Sequence, residues 1–250
     1  MEIVLLTALG VGGATIVGAL LGMILKNVSH KFNDIVLGFA SGIMLCAAIV
    51  GLIMPSVTDN PISIVVTVVG VFCGAFVLNA IDKIVPHLHR FADKDIESHN
   101  KSQTNINKIL LFVLAIAIHN FPEGIAAGVG FGTGNNAEAL TIAGGIALQN
   151  IPEGMVIIAP MLSAGVSKTK TFAIAAATGL IEVLGTLIGY FAVNISAAVL
   201  PFSLAFAGGT MLYIISDEMI PETHSHGNER GATYALLVGF SLMLAMDYFL

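Results

Sequence analysis

His119-Asn120-Phe121-Pro122-Glu123-Gly124 sets a histidine and a carboxylate inside an apolar stretch, and the unit returns as Gln149-Asn150-Ile151-Pro152-Glu153-Gly154. Each copy lies near the middle of an apolar run of about 20 residues or more, the length at which a helix spans a bilayer core. An ionisable group at that depth costs at least about 2.5–3.5 kcal/mol, so it points to function rather than packing.

Working outward, eight apolar runs can be marked, at 3–25, 35–57, 62–81, 109–131, 139–163, 171–193, 201–220 and 232–250. The chain is 56% hydrophobic and 10% charged, where a soluble domain carries about 25% charged residues. The bilayer core forbids unpaired backbone, and no run shows the strict alternation of a barrel strand, so the runs read as helices. Almost all of the charge behind the net −6 lies in short connections, and no basic patch offers itself to nucleic acid. Ile3 to Leu25 is too long for a signal-peptide core and has no basic region before it, so it reads as a retained first helix. Cys46 and Cys73 fall inside apolar runs and read as packing residues. The Gly18-x-x-x-Gly22 spacing suits either a homodimer face or packing within the chain, the second being the expectation.

The basic residues orient the chain. Lys26 and Lys31 follow the first run. Lys83, Arg90, Lys94, Lys101 and Lys108 flank the link from the third to the fourth, Lys168 and Lys170 follow the fifth, and Arg230 precedes the eighth. With eight crossings all ten lie on one side, which is then cytoplasmic, and both termini lie outside. The expectation is an all-α polytopic membrane protein of the cell membrane, with eight transmembrane helices and an inverted repeat. Residues 1–250 form a single transporter domain, and the polar stretch of about 86–108 is a cytoplasmic loop.

Helix four runs outward and helix five runs back. His119 and Gln149 each lie about 11 residues in, roughly 16 Å along a helix and close to the midplane. The two units thus meet at one depth about a two-fold axis in the membrane plane, a recurring transporter design. His119 and Glu123 are four apart and share a face, as do Gln149 and Glu153. Pro122 should free the carbonyl of Ile118, and Pro152 that of Leu148. Glu182 adds a third carboxylate at similar depth in helix six. One imidazole, three carboxylates and several amide oxygens suit a divalent ion such as zinc, with tolerance of iron, cadmium or manganese.

These residues resemble the ZIP family of divalent metal transporters, in particular its prokaryotic branch. The resemblance covers nearly the whole chain: the two motifs in helices four and five, Glu182 in the sixth, and Asp217-Glu218-Met219-Ile220-Pro221-Glu222 ending the seventh. It implies a two-metal centre, with His119, Glu123, Gln149 and Glu153 on one ion and Asn120, Glu123, Asn150, Glu153 and Glu182 on the second. Position 150 departs from those relatives that carry Asp there, and a neutral amide keeps an oxygen but removes a charge. Met44 resembles a position that can add a thioether ligand. Asp82, His87 and His89, with Asp217 and Glu218, resemble stepping stones toward the cytosol, while His224 and His226 read more simply as solvated loop residues. Asp59 and Asp247, near the outer face, could gather cations at the mouth.

The sequence therefore points to an uptake transporter that carries zinc, or a similar divalent ion, through the bilayer from outside to cytoplasm by alternating access. A channel-like pathway is the nearer rival. An intramembrane metalloenzyme is the rival of another class, disfavoured because no H-E-x-x-H is present and no general base stands free of the motifs.

Overall fold

A computed structural model describes residues 1–25, 29–58, 60–84, 103–163, 165–195 and 199–249. Its long elements are helices: α1 Glu2–Leu25, α2 His30–Ser56, α3 Ser63–Ile84, α4 Gln103–Gly130, α5 Asn136–Ser163, α6 Lys168–Ile195, α7 Leu200–Thr223 and α8 Glu229–Phe249. Among the described residues there is no strand, and seven of the helices, all but α4, are long and apolar enough to cross a membrane. Large apolar side chains such as Leu6, Phe72, Phe76 and Leu237 stand exposed around them, as expected where the surroundings are lipid rather than water.

Polar turns lengthen several helices past the apolar runs. Ser29 caps α2 by accepting from the Phe32 amide at 3.2 Å, so that helix starts at His30 rather than near 35. Residues 103–108, expected in the cytoplasmic loop, are the first turns of α4 instead. Their backbone bonds form equally well outside the apolar run, which hydropathy cannot register. The tight reversal from α4 to α5 turns on Gly134, whose φ of +78° favours glycine, and Asn135 then caps α5 at the Ala137 amide, 3.0 Å away.

The helices pack in two groups, α1, α4, α5 and α6 in one, and α2, α3, α7 and α8 in the other. They are joined chiefly by α2 against α5 and by α7 against α4. Within the groups, glycines let backbones touch. Gly18 meets Ile151 and Gly22 meets Met155, so the Gly18-x-x-x-Gly22 face serves the α1–α5 contact inside the chain. The same rising order joins α2 to α8 (Gly38 on Ala232, Gly42 on Leu236), α3 to α7 (Gly70 on Phe202, Gly74 on Phe206) and α4 to α6 (Gly124 on Glu182, Gly128 on Thr186). All four pairs are therefore parallel.

Two helices contain π-helical turns, Ala47–Ile53 in α2 and Ile215–Met219 in α7. Such turns hold one residue more than an α-helical turn and re-aim the side chains beyond them. Cys46 is buried and both cysteines are free, in line with the packing reading.

Candidate metal centre

Both motifs lie inside helices that continue past their prolines, Pro122 in α4 and Pro152 in α5. Their glycines each seat a neighbour. A Cβ on Gly124 would strike the Glu182 carbonyl of α6, and one on Gly154 would strike the Thr15 carbonyl of α1. The repeat thus brings Glu182 and Thr15 to corresponding places on either side of the α4–α5 pair.

There they meet. Thr15 Oγ1 donates to Glu182 Oε1 at 2.7 Å. Asn120 Nδ2 donates to the same oxygen. Asn150 Nδ2 donates to Glu182 Oε2 and, at 3.3 Å, to the Val11 carbonyl. Asn120, Glu123, Gln149, Asn150, Glu182 and Thr15 are all buried. Glu123 lies within electrostatic reach of both Glu153 and Glu182, and Glu153 of Glu182. The Lys and Arg side chains among the described residues, those of Lys31, Lys83, Lys168, Lys170 and Arg230, lie at helix ends and away from this group.

Gln149 bears on Glu123 through a side-chain hydrogen bond, but single oxygens around it are left open. Asn120 Oδ1, Glu123 Oε2, Gln149 Oε1, Asn150 Oδ1 and Glu153 Oε1 are buried without a hydrogen bond among the described residues. Buried oxygens are ordinarily paired, so a cluster of orphaned acceptors on two facing helices has the chemistry of a cation site. Oxygen and nitrogen donors of this kind suit a borderline divalent ion. The arrangement is open rather than caged: among the described residues no three His, Cys, Asp or Glu side chains are gathered closely enough to hold an ion by themselves. Two of the expected ligands are engaged elsewhere, Glu182 with the amides and His119 with Glu218.

The His119 link crosses between the helix groups. His119 Nε2 lies 2.9 Å from Glu218 Oε1 of α7, both side chains being 13% exposed. Glu218 sits in the π turn, which aims it at the centre. Asp217, its neighbour, is exposed. Met44 is buried in the main apolar core beside the two groups' junction. His87, His89 and Asp59 lie outside the described residues, as does the side chain of Asp82. Asp247 lies within electrostatic reach of Glu138 at the start of α5. His224 bonds the Ile220 carbonyl and Thr233, and His226 pairs with buried Asp34 at 3.0 Å, both tying the α7–α8 turn to its neighbours.

Thr15 and the His119–Glu218 contact escape a reading of the sequence alone. The duplicated glycine was a usable signal for Thr15, because a helix seated by Gly124 implies one seated by Gly154.

Residues 93–247 match the family model described as ZIP Zinc transporter. The chain is 39% identical to Zinc transporter GufA of Myxococcus xanthus over 97% of each protein. It is 35% identical to Zinc transporter ZIPB of Bordetella bronchiseptica, over 94% of this chain and 77% of that one. Against Zinc transporter ZupT of Chlorobaculum parvum the identity is 34%, over 96% of this chain and 94% of the relative.

Proposed function

Given that the chain belongs to the ZIP family of zinc transporters, we propose that it is a zinc uptake transporter of the cell membrane, carrying the ion from outside to cytoplasm. The observation that carries this reading is the set of orphaned oxygens on α4 and α5, which lies among carboxylates with no Lys or Arg partner among the described residues. The relatives' names as zinc transporters support zinc as the cargo. Iron, cadmium and manganese fit the same donor types. The protein is a transporter and not an enzyme.

His119, Asn120, Glu123, Gln149, Asn150 and Glu153 receive the ion at the midplane, beside Glu182. Their oxygens and imidazole replace its water, and the carboxylates offset its charge in a medium where charge is costly. Met44 stands ready at the junction as a further soft donor. The ion then leaves by Glu218 and Asp217 and by Asp82, His87 and His89. Relative motion of the two helix groups opens the site inward, and the His119–Glu218 link is a contact that this motion must break.

The chain is one domain that crosses eight times with both termini outside. The parallel pairs support that count: α3 and α7 can run parallel only if an odd number of crossings joins them. Since α5 and α6 are two, α4 is the third. The segregation of all ten basic residues supports the orientation.

Zinc influx into liposomes that carry the purified protein and a trapped zinc-sensitive dye tests the reading. Influx that saturates at low zinc is the expected result. Influx that rises linearly with zinc would replace the carrier by a channel, and none above protein-free liposomes would refute transport.

A further inference from the structure

We infer that Glu182 is not a ligand of the transported ion but the anchor that turns two amide oxygens toward it, so that this centre takes one metal ion rather than two. The inference rests on the transport reading above, whose cargo it counts.

Both oxygens of Glu182 are already engaged. Oε1 accepts from Thr15 and Asn120, and Oε2 accepts from Asn150. All four residues are buried, so an ion that displaced these bonds would leave the Thr15 and Asn120 donors unpaired, a costly state, and would leave Asn150 only the Val11 carbonyl. The amide group is planar and trigonal. Once Nδ2 is fixed on Glu182, Oδ1 of the same side chain must point elsewhere, and in both asparagines that oxygen is buried and unpaired. The reverse orientation would set an amide oxygen against a carboxylate oxygen, with neither able to donate. The two amides are therefore locked with their acceptors turned away from Glu182, and Glu123 Oε2, Gln149 Oε1 and Glu153 Oε1 join them as buried oxygens without a hydrogen bond among the described residues.

This repeats, with amides, the logic by which a carboxylate behind a ligating histidine fixes its orientation. Thr15 holds the anchor, and its place opposite Gly154 makes it part of the repeat rather than a chance neighbour. Residue 150 decides the arrangement. An aspartate there could only accept, would repel Glu182, and would turn the pair into two carboxylates free to hold a second ion.

Full-length protein in nanodiscs is titrated with zinc alone. The ions of the centre are counted as the difference between wild type and Glu123→Ala, which removes zinc bound elsewhere from the count. The expected difference is one. Glu182→Gln keeps that ion but binds it roughly 10- to 100-fold more weakly, the range for loss of an orienting partner. Thr15→Val also weakens binding without changing the count, and Thr15→Ser restores it, which a mere packing role for the methyl group would not explain. Asn150→Asp raises the difference to two. A difference of two in wild type, or loss of the ion in Glu182→Gln, would overturn the inference while leaving transport intact. A difference of zero would overturn the transport reading with it.

Discussion

Replacing Gly124 by alanine should push α4 from α6 and impair zinc binding, whereas alanine at Gly10 should not. A Cβ at position 124 would overlap the Glu182 carbonyl oxygen and lie 2.9 Å from the Glu182 Cα. Carbon atoms rest at about 3.5–4.0 Å, so the two backbones must part by roughly 1 Å. That displacement is enough to stretch the Asn120–Glu182 bond out of good hydrogen-bonding geometry. Overpacking of this kind costs about 1–3 kcal/mol. Expressed wholly at the site, it lowers zinc affinity by about 5- to 150-fold. Gly10 has nothing within 4 Å of its added Cβ, and alanine in a helix is, if anything, stabilising. Zinc titration and thermal unfolding of both variants in one detergent make the comparison. Equal effects of the two alanines would refute the view that the motif glycine seats Glu182.

Topology and ligand assignment give two further tests. On a Cys46→Ala, Cys73→Ala background, Asn60→Cys and Glu138→Cys should react with a membrane-impermeant thiol reagent added outside intact cells. Ser167→Cys and Glu229→Cys should react only after permeabilisation, and labelling of residue 167 from outside together with residues 60 and 138 would rule out eight crossings. Glu153→Ala should weaken zinc binding far more than His224→Ala, because His224 already bonds the Ile220 carbonyl and Thr233. Equal calorimetric affinities in the two variants would count against the site.

The helices were legible in the sequence because a bilayer imposes a length and an apolar composition that local residues must meet. The pairing of the two motifs on facing helices was legible because they repeat. What escaped depends on geometry that hydropathy does not encode. Residues 103–108 are polar yet helical, since water tolerates a helix as well as a loop. Thr15 in an apolar helix reads as neutral packing until Gly154 brings α1 against α5 and the repeat carries it to Glu182. The contact of Glu218 with His119 was not legible, because it lies in the π turn at Ile215–Met219, which breaks the 3.6-residue period. The glycine pair at 18 and 22 was legible only as a close-packing face, and its partner became clear once Ile151 and Met155 were seen against it.

The central claim is that zinc crosses the membrane through the centre on α4 and α5. Its most direct test is zinc influx into dye-loaded liposomes carrying wild type or Glu123→Ala at equal protein density. The account predicts zinc influx in the wild type and none above protein-free liposomes in the variant. Equal influx in both would mean that the duplicated motif is structural and that zinc takes another path.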